Sequence, residues 1–188
     1  MKILLLLFLL FSQLTYCEEN YPQAYFSPED HLDQKLIELI DGEKKSIRAA
    51  IYCFTSRDIS EALIRAKKRG VQLEVIADPF SFRPRCQIGK ISRLGGKVFL
   101  FDAKKVEGKK NQDVIMHHKF CLFGENQEGK SLVWTGSFNF TLSAAHYNRE
   151  NAIILADPSI YERYSQEFER LKKISCKSYK EFLAAQKK

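Results

Sequence analysis

The chain predicts an α/β layer fold, with helices packed on a sheet, built as one domain. Three observations predict it. Helical and strand-like apolar patterns alternate through the first half. No internal repeat, low-complexity tract or linker interrupts the chain. Its 188 residues suffice for one sizeable core and are too few for two ordinary domains.

In chain order, Lys2, the apolar run of residues 3–11 and a small-residue site at Thr15 and Cys17 read as a secretory signal covering residues 1–17. The run is shorter than the ~20 residues that span a bilayer, so cleavage is expected rather than anchoring. Residues 18–188 are then the mature domain, and its expected location is secreted or periplasmic. Ser27, Pro28 and Asp30 read as a capped helix start, Leu32, Leu36, Ile37 and Ile40 share an apolar face, and Gly42 ends the helix. Residues 47–54 read as a buried strand. A second helix begins near Asp58, carries Ile59, Ala62, Leu63 and Ala66 on one face and stops at Gly70; a strand follows over 71–77. Residues 86–94 read as a short helix closed by Gly95 and Gly96, and residues 98–101 as a strand.

Between Asp102 and Asp113 the chain turns polar, with Lys104, Lys105, Lys109 and Lys110 around Gly108. This is expected as a surface loop, either merely solvated or a lip that contacts phosphates. Residues 114–123 and 131–135 read as strands joined by a polar turn, 151–155 as a further strand, and Ile160, Tyr161, Tyr164, Phe168 and Leu171 as one face of a long closing helix.

Without Lys2, 29 Lys and Arg face 23 Asp and Glu, a charge of +6. That surplus suits nucleic acid or anionic lipid headgroups and equally serves solubility. Cys53, Cys86, Cys121 and Cys176 remain; an oxidising compartment permits disulfides, while apolar surroundings at Cys53 and Cys121 suit buried thiols. No CxxC pair or His/Cys cluster with zinc spacing is present, so no metal is expected.

Residues 116–151 concentrate the chemistry. On a strand His117 and Lys119 point to one face and His118 to the other, which separates the two histidines by role. His117 shares its face with a cation suited to phosphate, and a neutral imidazole is a competent nucleophile. Gly136 and Ser137 end the next strand, where a turn presents backbone N–H groups, the Ser137 hydroxyl and the Asn139 amide to phosphate oxygens. Glu150 begins a strand and is suited to orient an imidazole. Taken singly, each residue has a structural explanation; the order and spacing of the set carry the inference.

This set resembles the phospholipase D superfamily, whose signature is H-x-K, a downstream Asp and then G-S-x-N. It is nearest to the small single-motif secreted endonucleases and to the mitochondrial cardiolipin hydrolase type. The resemblance runs through residues 25–28, 51–55, 69–71, 136–141 and 150–152, essentially the whole mature chain. It implies a mixed sheet with helices on both faces and phosphodiester chemistry that needs neither metal nor cofactor. Carried over residue by residue, His117 matches the histidine, Lys119 the lysine, Ser137 and Asn139 the phosphate-binding pair, and Glu150 the acid that orients the histidine. The family's Asp does not carry over, because Gly124 stands there; Glu125 and Glu128 are the candidates to replace it.

With one motif per chain, the resemblance implies a homodimer whose active site lies on the two-fold axis. Three functional readings follow: a nuclease acting on DNA or RNA, a phospholipase D acting on phosphatidyl or cardiolipin headgroups with Phe80, Phe82 and Phe138 as a candidate apolar rim, and a binding module weakened by Gly124.

Overall fold

The computed structural model describes residues 20–106 and 114–186. The expected signal segment, and Gly108, Lys109 and Lys110 of the basic loop, lie outside the described residues. The strands are β1 (Gln23–Phe26), β2 (Ser46–Ile51), β3 (Gln72–Ala77), β4 (Lys97–Phe101), β5 (Lys119–Phe123), β6 (Leu132–Gly136), β7 (Asn151–Leu155) and β8 (Cys176–Ser178). The helices are α1 (Leu32–Gly42), α2 (Arg57–Lys68), α3 (Ile88–Arg93), α4 (Leu142–His146), α5 (Pro158–Ile174) and α6 (Tyr179–Gln186). All eight strands form one sheet in the order β1-β7-β6-β5-β2-β3-β4-β8. β3 pairs in parallel with β2 and β4, and the remaining pairs are antiparallel.

Alternation along the central strands sends Ala49, Ile51, Cys121, Phe123 and Trp134 to one face and Ala50, Phe120, Leu122 and Val133 to the other. Residues of α1 to α4 cover the first face, with Phe182 of α6 packed against it. Phe168 and Leu171 of α5 cover the second. Helices therefore lie on both faces of a mixed sheet, as the resemblance implied. A strand buried on both faces reads as a continuous apolar run, which is why residues 47–54 carry no polar alternation.

Local signals explain several boundaries. The Ser56 hydroxyl accepts from the Ile59 N–H at 3.3 Å and caps α2, and Gly70 (φ 98°) takes the left-handed conformation that turns the chain into β3. The Asp157 carboxylate accepts from Ser159 and Ile160 N–H groups and starts α5.

The expected cap of α1 is not formed. Its N-cap is His31, in a left-handed conformation without a side-chain cap bond. Ser27 instead donates its hydroxyl proton to the Asn148 carbonyl and accepts from the Glu150 N–H, tertiary bonds that win over the local one. Three further elements, β2, α3 and β5, are clearly shorter than expected, while β1, β8, α4 and α6 were not anticipated. All four cysteines are free thiols, which resolves that alternative.

Candidate active site

Strand direction gathers the candidate residues at one edge of the sheet. β5 and β7 run antiparallel to β2 and β6, so the start of β5, the ends of β2 and β6, and the start of β7 all meet there. Crossing hydrogen bonds knit these ends together. The Tyr52 N–H donates to the His118 carbonyl at 3.0 Å, the Phe140 N–H to the Cys53 carbonyl at 3.1 Å, and the Thr55 and Ser56 N–H groups to the Phe140 carbonyl. The Gly136–Thr141 turn is thereby fastened beside the residues that follow β2.

Lys119 is a buried cation, 7% exposed. Its Nζ donates to the His117 carbonyl at 2.6 Å and lies 5.0 Å from the centre of the Tyr52 ring. Burial lowers its pKa, while the charges of Glu150 and Cys53 act in the opposite direction. His117 is exposed, its ring 4.5 Å from Tyr52. Partial burial, then the Lys119 charge, hold its pKa below the ordinary imidazole value against the pull of Asp78. A neutral ring, able to attack, therefore prevails at neutral pH.

His118 points to the opposite face, with Nε2 3.5 Å from the Glu167 carboxylate of α5 and its ring against Phe120. The separation of the two histidines expected from alternation is present, although β5 begins only at Lys119.

Gly136 is where β6 and β7 approach most tightly. A Cβ there would meet the Asn151 carbonyl oxygen at 2.1 Å, so only glycine fits. The approach lets the Ser137 N–H donate to the Asn151 carbonyl and its hydroxyl accept from the Asn151 N–H, both at 3.1 Å. Asn139 accepts through Oδ1 from the Cys53 N–H at 3.2 Å, a bond that orients the amide. Glu150 accepts from the Asn148 amide at 2.9 Å and lies close enough to Lys119 to act on its charge; among the described residues no hydrogen bond joins it to His117. No group of three His, Cys, Asp or Glu side chains converges to hold a metal among the described residues.

Two residues that the sequence reading did not place at the site complete this edge. Buried Asp78, after β3, accepts from the Phe80 N–H with Oδ1 and from the Met116 N–H with Oδ2, tying the turn after β3 to the segment carrying His117. Tyr52 lies against both His117 and Lys119. An apolar run containing Tyr52 and a lone Asp before proline carry no local signal of a site. Of the expected apolar rim, Phe138 is wholly buried in the core, a correction, whereas Phe80 and Phe82 reach the surface.

Gly124, at the family's Asp position, sits beyond the far end of β5 from Lys119, roughly 16 Å along the strand. A carboxylate does occupy this region, but neither Glu125 nor Glu128 supplies it. Buried Glu43 accepts from the N–H groups of Lys45, Ser46 and Glu125 at 2.7–3.1 Å. Its Oε1 would lie 3.5 Å from a Cβ at Gly124.

A family model described as "Cardiolipin synthase, PLD-like domain" matches residues 36–172, well over half of the chain. The chain belongs to the phospholipase D superfamily. The superfamily relatives that it resembles are phosphodiester hydrolases. It is similar to a mitochondrial cardiolipin hydrolase of Danio rerio, with 31% identity over 138 residues, 73% of this chain and 55% of that one. The match thus spans little more than half the relative's length. Among solved structures it resembles Nuc from Salmonella typhimurium, described as a phospholipase D family member, at a TM-score of 0.70 and 29% identity, covering 85% of this chain and 97% of that one. NucT from Helicobacter pylori shares the fold at a TM-score of 0.75, with 23% identity and coverage of 85% and 99%.

Proposed function

We propose that this phospholipase D superfamily chain is a metal-independent phosphodiesterase that hydrolyses DNA or RNA as a homodimer. The observation that carries the reading is the pairing of an exposed His117 with a buried Lys119 at the edge where Ser137 and Asn139 also gather. One His117 attacks phosphorus and forms an N–P bond as the P–O bond to the leaving group breaks. The partner subunit's His117 gives its proton to the leaving oxygen, then takes a proton from the water that cleaves the N–P bond. Lys119, Ser137 and Asn139 offset charge on the non-bridging oxygens, and Glu150 serves the imidazole as orienting acid once the subunits meet.

The homodimer reading is supported by large side chains left exposed. Phe26, Leu142 and Tyr147 are 57%, 59% and 75% exposed, and Phe26 and Glu150 line the same shallow hollow. Export, read from residues 1–17, would place the enzyme outside the cytoplasm.

A second reading, hydrolysis of phosphatidyl or cardiolipin headgroups, is favoured by the likeness to the cardiolipin hydrolase of Danio rerio. The third, a non-catalytic module, rested on Gly124, which lies away from the reacting groups. The purified protein is to be assayed with excess chelator on plasmid DNA, single-stranded RNA and cardiolipin vesicles, alongside His117→Ala. Nucleic-acid cleavage lost in the variant is expected. Cleavage of vesicles alone selects the second reading, and unchanged activity in the variant, or a need for added metal, overturns the mechanism.

A further inference from the structure

A stack of flat groups leads away from the reacting edge. The Tyr52 ring, against His117 and Lys119, stacks on Phe80 with centroids 5.0 Å apart and planes 13° from parallel. The Arg83 guanidinium caps the other side of Phe80, 3.8 Å from its centre. Arg83 then lines an open cavity of about 520 Å³ shared with Gln87, Lys90, Arg93 and Tyr179.

The stack is held firmly. The Ser81 hydroxyl donates to the Tyr52 carbonyl at 2.8 Å and accepts from the Phe54 N–H at 3.2 Å, and Asp78 caps the Pro79–Ser81 turn. The charge is available as well: Lys90 is paired with Glu61, but among the described residues Arg83, Arg85 and Arg93 are exposed and have no carboxylate partner. Gly89 closes the floor, since a Cβ there would meet the Tyr179 hydroxyl at 2.8 Å.

We infer that this groove is a subsite for the single-stranded segment next to the scissile phosphate, with an unpaired base stacking on the outer face of Arg83 and the neighbouring phosphates held by Arg83 and Arg93. Guanidinium planes stack on bases in single strands, and arginine also pairs with phosphate, so one side chain meets both parts of a nucleotide. A paired base cannot enter the stack, so the groove favours single strands over duplex. The inference rests on the nucleic-acid reading above and assigns its substrate form.

The test compares wild type with the Arg83→Ala, Arg93→Ala double variant, on three substrates. Hydrolysis of bis(4-nitrophenyl) phosphate, too small to reach the groove, should stay within about twofold and reports an intact fold and reacting edge. On a single-stranded oligonucleotide about twenty nucleotides long, kcat/KM should fall about tenfold or more, with a salt dependence shallower by about one to two phosphate contacts. A blunt duplex of equal length should be a poorer substrate for wild type and little affected by the variant. Equal loss on duplex and single strand, or no loss on either, overturns the subsite while leaving the nuclease reading intact. Wild type that cleaves no nucleic acid overturns both.

Discussion

Lys119 acts on His117 through charge. Its ammonium is out of water and close to the imidazole, so it opposes protonation of the ring, after partial burial the largest cause of the lowered pKa. The sign follows: the attacking ring must be neutral and the partner subunit's ring protonated, so kcat/KM should fall as pH drops through a midpoint under the ordinary ~6.5 and fall again as pH rises well above it. Lys119→Met removes the like charge and keeps the shape. The His117 midpoint, followed by NMR titration of its ring protons, should rise part of the way to the ordinary value, while turnover drops for want of the phosphate-binding cation. A midpoint that stays put or falls would show that Lys119 does not tune the ring. His117, Lys119, Ser137 and Asn139 stood out in the sequence as candidates through the family resemblance that their order carries. Asp78 did not, since its contact with the Met116 N–H joins residues 38 positions apart.

At the scale of elements, β5 carries the candidate phosphate-binding lysine at one end, and the departure from the family pattern lies beyond the other. The α1–β2 connection fills the far end with Glu43, whose carboxylate takes N–H groups from both sides of the β2–β5 pair. Putting the family residue back should therefore harm the fold. In Gly124→Asp the new Cβ meets the Ser46 hydroxyl at 2.5 Å and brings a second carboxylate beside Glu43. We expect a loss of about 1–3 kcal/mol from overcrowding alone, read as a lower denaturant midpoint, with kcat unchanged. Equal stability would show that the pocket can yield. The strands and helices that sequence patterns found, β2 to β7 with α1, α2, α3 and α5, are those with buried faces or clear stops. The missed ones are short or edge elements, such as the three-residue β8 and the five-residue α4, whose partners lie far away in the chain.

For the whole molecule, the proposed mechanism takes two copies of His117 at one site, one from each chain, and on that reading assembly is a condition of catalysis. If wild type and His117→Ala are mixed in equal amounts, unfolded together and refolded, random pairing leaves about a quarter of the dimers with two histidines. Activity per total protein should fall to about a quarter of that of pure wild type, with the particle mass measured in parallel. A fall to only half, or a monomer that retains full turnover, would overturn the shared site.

By itself the sequence determined the layer architecture and the opposite facing of His117 and His118, because periodicity reports geometry within a few residues of each position, and through its resemblance to the family it named the candidate site residues. Only the tertiary structure decided which strand ends meet. That meeting places Tyr52 and Asp78 beside the histidine, with Phe80 and Arg83 stacked outward from Tyr52, and at the far end of β5 the fold sets Glu43 beside Gly124. The physical reason is that these contacts come from strand order and from hydrogen bonds between distant segments, and no local pattern encodes them.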